Sequence, residues 1–412
     1  MSVSLQRLDQ TELSELATTF KNAGIAGAGG AGFPAHAKWE RLDEVDYLLV
    51  NHQESEPNYY IDKWLGRERA DEFGRLFDAL LDRAFDAIVI GAKEKDRDGW
   101  MRQLEAATDG RVYGPSDLPL DPETESGVVF AYTDDQYEYG MENVLLRLVA
   151  GVVMGDDLPM DHGWIVQNTE TLHNVFKTLE RNEPMTHKYV HVDGNVPDHR
   201  FLKVPIGTPA SHLLAAAGRD PDDIGEDELL ADGGPGWCFE IEEDPSAFGT
   251  SKRTNCLTVL DADVVEENTL GGGRINVLNP IEWSAEHETE PSTHDPDRVR
   301  IPMITNSDLE GIVSPSRPVV EPGDEVTAGE MIAVPSGGDI GNAQHASIGG
   351  EVTEVSDRHV EITRQSDQSG RTLPEAGRTI YWTWCVECGE YVARPERERF
   401  TSGTKYVCES CR

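Results

Sequence analysis

Apolar residues recur at helical spacing over Thr11–Asn22, Glu68–Arg83, Gly99–Thr108 and Glu142–Val153. Between these stretches lie short apolar runs: Tyr47–Asn51 (YLLVN), Ala87–Gly91 (AIVIG) and Val128–Tyr132 (VVFAY). Runs this short and this rich in branched residues read as buried strands. Strands separated by helices of this length predict βαβ units and a parallel sheet, an α/β fold.

From Lys188 the pattern changes. KYVHVDGNV, RFLKVPIG and LTVLDADVV are short β patterns broken by one helical piece, Pro209–Ala217. They predict a small α+β domain whose last strand ends near Val265. Trp283–Asp297 is polar and poor in apolar residues, so it reads as a linker. Val299–Thr363 consists of short strands with Gly and Pro turns, and Gln365–Arg378 reads as a second linker. The expected organisation is 1–186, an α/β domain; 187–282, α+β; 283–298, linker; 299–364, all-β; 365–379, linker; and 380–412, a cysteine-bearing tail. No internal repeat stands out.

Charge changes the picture of partners. Asp and Glu number 76 against 36 Lys and Arg, a net charge of −40 spread along the whole chain. Phosphate neutralisation needs cations, so nucleic acid is not an expected partner, and an anionic membrane surface is disfavoured for the same reason. Only ten of the basic residues are lysines. So acidic a chain repels itself in dilute buffer, and the expectation is a halophile cytosolic surface. The most apolar long stretch, Val144–Gly155, is short and contains Arg147, so no membrane insertion is expected. The first residues, MSVSLQRLDQTELSEL, lack the basic and apolar regions of a signal peptide.

Two pairs of cysteines close the chain, Cys385-x-x-Cys388 and Cys408-x-x-Cys411, with nineteen residues between them. Four thiolates at this spacing suit a tetrahedral zinc ion. The same knuckles also suit a single rubredoxin-type iron, so the expected zinc ribbon leaves the metal open. Cys238 and Cys256 are isolated and read as small buried hydrophobes. His187 and His191 fall on a strand-like run, where residues four apart are roughly 13 Å apart, too far to share a metal.

GAGGAG at Gly27–Gly32 matches the letters of the dinucleotide fingerprint but not its context. That fingerprint follows a strand and opens a helix, whereas these glycines follow a helix and precede the strand Tyr47–Asn51. A glycine-rich loop can still cradle a phosphate through its backbone N–H groups. NHQESEP, Asn51–Pro57, begins where that strand ends, and ligands of open α/β sheets bind beyond the carboxyl ends of strands.

Together, GIAGAGGAGFPAHAKW and NHQESEP resemble the FMN-binding subunit of respiratory complex I and its RnfC and PduS relatives, here of a halophilic archaeal type. YEYGME (Tyr137–Glu142), QNTETL (Gln167–Leu172), HVDGNV…VPIGTP (His191–Pro209), DGGP (Asp232–Pro235) and RTNCL (Arg253–Leu257) continue the likeness in order, from about Leu13 to Leu260. Pro318–Val355 is similar to the barrel-sandwich hybrid of the same relatives. The resemblance implies a Rossmann-like parallel-sheet FMN-binding domain, then an SLBB β-grasp domain, the barrel-sandwich hybrid and the zinc ribbon.

It also implies roles. Backbone at Gly27, Gly29, Gly30 and Gly32 is expected to wrap FMN, with Lys38 near its ribityl–phosphate. Asn51, Gln53 and Glu54 are expected to line the isoalloxazine, with Glu56 facing a nicotinamide. Tyr137, Gly140, Glu142 and Asn168 are expected to close the pocket. Complex I has an arginine where Ala28 stands and acidic residues where Gln53 and Met141 stand, so flavin binding carries over better than NADH specificity.

The relatives' iron–sulfur motifs are missing from the sequence, so no such cluster is expected in this chain. The barrel-sandwich module also has no lysine from Arg253 to Thr404 to carry a swinging arm. The implied function is an FMN-binding, NADH-dehydrogenase-like electron-transfer subunit. It takes electrons from NADH and passes them to an iron–sulfur protein or to respiratory-complex subunits, in the cytoplasm or peripheral to a membrane complex. The alternative is a non-catalytic scaffold that keeps the fold and binds a cobalamin or quinone through the β-grasp domain.

The screening length is about 3 Å at 1 M salt and grows on dilution. Circular dichroism is expected to show loss of structure below about 1 M salt, where like charges are no longer screened. An unchanged spectrum after dialysis into dilute buffer would count against the halophile reading.

Overall fold

The computed structural model describes residues 4–225, 227–283, 287–309, 311–336, 340–364, 381–384 and 391–394. Cys385, Cys388, Cys408 and Cys411, and with them the expected zinc ribbon, lie outside the described residues, as does the expected linker 365–379.

The first unit is built on five strands: β1 (Tyr47–His52), β2 (Ala87–Lys93), β3 (Arg111–Tyr113), β4 (Gly127–Thr133) and β5 (Trp164–Asn168). Their order is β3–β4–β2–β1–β5, and every neighbouring pair is parallel. The helices are α1 (Leu13–Asn22), α2 (His36–Trp39), α3 (Ile61–Glu68), α4 (Ala70–Arg83), α5 (Arg102–Thr108), α6 (Glu142–Ala150) and α7 (Thr169–Arg181).

Successive strand residues point to opposite faces, and both faces are apolar, as a covered parallel sheet requires. On one face Leu48, Val50, Ile88, Ile90 and Phe130 pack with Phe20, Phe73, Phe77, Leu104 and Val175. On the other, Leu49, Val89, Val129 and Val166 meet Leu145, Leu146 and Val149 of α6.

This unit departs from the sequence reading in two ways. Strands β3 and β5 and helices α2, α3 and α7 are additional to the predicted elements. Helix α6 stops at Ala150, because Gly151 turns left-handed at φ 69°, a conformation that suits glycine at a helix end.

The second unit has six strands: β6 (His187–Gly194), β7 (Arg200–Pro205), β8 (Glu228–Gly234), β9 (Trp237–Glu240), β10 (Cys256–Asp261) and β11 (Ser292–Thr293). They form one mixed sheet in the order β11–β7–β6–β10–β8–β9. Leu213 and Leu214 of helix α8 (Ala210–Ala216) pack on Val190, Val204, Leu230 and Val259 from this sheet. The run LTVLDADVV is strand only to Asp261; it continues as helix α9 (Ala262–Asn268), with Val265 buried. Both Cys238 and Cys256 are buried free thiols.

Within the stretch expected to be a linker, the described residues 287–293 dock on this unit, mainly through polar side chains. Glu288 accepts from Arg200 (2.7 Å) and from the Phe201 N–H (3.1 Å). His287 lies 3.1 Å from the Asp193 carboxylate, which also holds His199, Asn58 and the Gly194 N–H. β11 pairs parallel with β7. A segment poor in apolar residues thus docks by hydrogen bonds and ion pairs, which hydrophobic periodicity does not register.

The third unit is all-β. One sheet runs β12–β18–β17–β14 with β12 Arg298–Pro302, β14 Glu325–Val326, β17 Gly350–Val355 and β18 His359–Thr363. The other runs β13–β15–β16 with β13 Arg317–Pro318, β15 Met331–Val334 and β16 Gln344–His345. Val299, Ile301, Ile332, Ile348, Val352, Val360 and Ile362 form its core. Near the end of the chain, β19 (Tyr381–Trp384) pairs antiparallel with β20 (Tyr391–Arg394).

Candidate cofactor site

In the first sheet the chain leaves β1 to one side for β2 and later returns to its other side as β5. Such a reversal opens a crevice beyond the carboxyl ends of the strands, the usual ligand position in open α/β folds. Here it lies between Asn51 and Asn168, which are register partners across β1 and β5. The glycine-rich loop sits against it: a Cβ on Gly29 would come within 3.0 Å of the Asn168 amide.

The loop is a closed lariat. Ala26 and Pro34 pair as an isolated bridge, Gly27 N–H donates to the Phe33 carbonyl, and Gly32 N–H donates to the Gly27 carbonyl. Gly32 has φ +61°, and a Cβ there would meet the Thr305 carbonyl at 2.7 Å. Glycine is therefore needed for both conformation and space. Ala28 is buried, its N–H donating to Thr171 Oγ1 (3.0 Å) and its carbonyl accepting from Lys188 Nζ (2.8 Å). The outer side is held by Asn306, which donates to the Ala31 carbonyl (2.8 Å). Among the described residues, the N–H groups of Gly29, Gly30 and Ala31 have no acceptor. Three successive free donors make a nest for an anion, so the loop fits the phosphate end of FMN.

The other expected site residues gather around the same crevice, mostly in pairs. Asn51 donates to the Gly140 carbonyl (2.8 Å), which ties the Tyr137–Gly140 segment over the end of β1. Gly140 lies so close to Ser55 that a Cβ would collide at 2.3 Å. Lys38 bonds Glu142 and the Val166 carbonyl (3.0 Å). Its charge is therefore matched within the protein, and the loop's own N–H groups remain the free donors. Asn168 caps α7 by accepting from the Glu170 N–H (2.9 Å) and donates to Asp62 (2.8 Å). Gln53 donates to Thr133 (3.0 Å), and its Oε1 is buried without a partner.

Two expected residues turn away from the loop. Glu54 accepts from the Asp62 and Lys63 N–H groups at the start of α3. Glu56 reaches the second unit, accepting from the Gly236 N–H (2.8 Å) in the β8–β9 turn.

Sequence reasoning missed Lys93, Asp62 and the Glu170–Lys188 pair. Lys93 is 2% exposed, lies 3.1 Å from Asp135 and sits over the Tyr137 ring at 4.2 Å. A lysine at the end of a buried strand, in a chain with ten lysines, is a readable signal. Glu170 and Lys188 carry none, since they come from α7 and β6 and meet only in the fold.

Burial sets the protonation of this floor. It pushes Glu56 up to about 8 against the partial relief of the Gly236 and Trp237 N–H groups. Burial, with the Glu54 carboxylate nearby, pushes Asp62 well above the carboxylate range, and its Oδ1 has no partner. Burial also pushes His52 down to about 3, so its imidazole is neutral. A protonated Glu56 is a hydrogen-bond donor at neutral pH and adds no charge to the crevice.

Residues 20–177 match the family model of the Nuo51 FMN-binding domain, and residues 282–369 match that of the RnfC barrel sandwich hybrid domain. Over these stretches the chain is similar to the RnfC and PduS proteins. The cobalamin reductase PduS of Citrobacter freundii is 33% identical over 216 residues, covering 52% of this chain and 43% of that protein. PduS of Salmonella typhimurium is 31% identical over 239 residues, covering 57% and 48%. A component of the ion-translocating oxidoreductase complex of Pseudomonas aeruginosa is 31% identical over 249 residues, covering 60% and 30%. This RnfC/PduS-like chain thus matches less than half the length of each of these relatives. A crystal structure of an NAD+-reducing [NiFe]-hydrogenase in the H2-reduced state overlaps at 18% identity and a TM-score of 0.46, covering 63% of this chain and 49% of that one. Among the described residues, no helix is long and apolar enough to cross a membrane.

Glu56 gives the second prediction. Its folded value of about 8 exceeds the ordinary 4.5, so the folded state holds a proton that the unfolded chain releases. That stabilisation is full below pH 4.5 and is lost as pH rises through 8. Each unit is worth about 1.4 kcal/mol, so Glu56→Gln is expected to remove a pH-dependent loss of several kcal/mol. Denaturant midpoints of wild type and variant, compared at pH 5 and pH 8.5, check this. A difference that does not change with pH contradicts it.

Proposed function

We propose that this chain is the FMN-binding subunit of an electron-transfer oxidoreductase, with the flavin at the β1/β5 crevice and its phosphate on the glycine loop. The observation that carries the reading is the row of free N–H groups at Gly29, Gly30 and Ala31, set at the crevice in a domain matched by an FMN-binding family. FMN, when bound, supplies hydride acceptance from a nicotinamide and release of electrons one at a time.

The protein's part is holding and shielding. The loop N–H groups take the phosphate without a net positive charge, which suits a chain at −40. Asn51 and Gly140 fix the segment that covers the crevice, and the Lys38–Glu142 pair fastens the start of α6 beside it. The open Gln53 Oε1 is an acceptor for the ring system. Protonated Glu56, on the side of the second unit, offers a donor toward a nicotinamide rather than a repelling charge. We assign NADH as the electron source and an iron–sulfur protein or respiratory-complex subunit as the recipient. In the same reading the second unit is an SLBB β-grasp domain, the four tail cysteines hold zinc, and the protein works in the cytoplasm of a halophile.

Flavin titration tests the reading. Wild type is expected to bind FMN at about one site per chain, as a single concave pocket does, with quenching of flavin fluorescence. Gly29→Val, which drives a side chain into Asn168, is expected to lose binding while keeping its circular dichroism. A wild type that neither carries a flavin spectrum nor quenches added FMN would end the proposal.

A further inference from the structure

Roughly 20 Å along α7 from the crevice, at the helix's other end, lies a cavity of about 650 Å³. Its lining includes Arg69, Lys177, Arg181 and Lys203, in a chain whose net charge is −40. Two carboxylates, Glu183 and Glu330, share the lining but do not neutralise it. Glu330 is turned onto its own hairpin, accepting from the Thr327 N–H (3.0 Å) and hydroxyl (3.2 Å). Glu183 stands 3.7 Å from Lys177, and Arg181 pairs at 2.6 Å with Glu72, whose other oxygen lies 3.6 Å from His173.

Lys203 and Arg69 have no carboxylate within 4 Å among the described residues. Arg69 Nε is buried without a hydrogen-bond partner, and Nδ1 of buried His173 has only the Glu72 carboxylate, 3.6 Å away. Such groups are costly to leave unmatched. Burial, and after it the neighbouring charges, pushes Lys203 below its ordinary value. Two cations without a carboxylate partner, Arg69 and Lys203, beside a space of this size describe a site for a negatively charged ligand.

We propose that this cavity binds a small phosphate-bearing molecule, with its anionic group held by Lys203, Arg69 and Lys177. One small halide would leave most of the space empty, whereas 650 Å³ falls in the range of small-molecule sites. A phosphate dianion supplies several acceptors and two charges against the unmatched donors. The walls come from all three units: Lys177 and Arg69 from the first, Lys203 and His187 from the second, and Thr327–Glu330 from the third. Occupancy therefore ties the three units together at a place separate from the glycine loop.

Inorganic pyrophosphate is the probe, titrated calorimetrically into the full chain at constant ionic strength. Saturable binding is expected in wild type and in Gly29→Val, which separates this cavity from the loop. Lys203→Gln and Arg69→Gln are each expected to weaken it about tenfold or more, the worth of one charge-assisted hydrogen bond. Lys203→Arg is expected to retain it. Acetylation of Lys203 and Lys177 in wild type, read by mass spectrometry, gives an answer without a variant: pyrophosphate should slow both. Absence of saturable heat in wild type, undiminished binding in both Gln variants, or acetylation unaffected by pyrophosphate would overturn the proposal.

Discussion

The site depends on one buried ion pair. Lys188 and Glu170 have side chains 0% and 2% exposed, and they bond each other where α7 meets β6. Lys188 spends a second donor on the Ala28 carbonyl (2.8 Å), and Glu170 takes the Tyr189 N–H with its other oxygen (3.2 Å). One contact thus joins the glycine loop, the helix beside the crevice and the first long strand of the second unit. Removing one partner of such a pair strands a buried charge and costs about 3–5 kcal/mol. With Thr171 holding the Ala28 N–H from the same helix, Ala28 is fixed on both sides. Among the described residues, the next three are left with their N–H groups open.

That arrangement answers a difficulty posed by the composition. A chain at −40 must bind a dianion at some point if it holds FMN, yet its lysine beside the loop is matched by Glu142. Backbone donors carry partial positive charge without adding a cation that the acidic surroundings would neutralise. Burial works in the same direction on the carboxyl groups nearby, since it holds Glu56 protonated at neutral pH and pushes Asp62 toward its neutral form. The third unit completes the enclosure: Asn306 and Thr305 press on the loop's far side, and Asn342 donates to the Ile25 carbonyl (2.9 Å).

Much of the first sheet is legible in the sequence because its strands are buried on both faces and read as apolar runs. YLLVN, AIVIG and VVFAY correspond to β1, β2 and β4, with ends moved by one or two residues. WIVQN is the same kind of run, but its last two residues open the QNTETL motif, and their polarity hides both the strand and the helix after it. The site residues Asn51, Gly140, Lys38, Glu142, Gly29 and Asn168 do meet at one crevice, because their motifs sit at strand ends and helix starts. Contacts that close the site from outside have no local signal. Asn306 lies 275 residues from Ala31, and the polar stretch around His287 and Glu288 docks through those two side chains, with no apolar stripe to mark it.

The central claim is that the open N–H groups at Gly29, Gly30 and Ala31 receive the flavin phosphate. Amide hydrogen–deuterium exchange over a peptide spanning 27–33, with and without FMN, tests it most directly. The account predicts that FMN slows exchange in that peptide and leaves the third unit's core strands unchanged. Binding of FMN with no added protection at 27–33 would contradict it.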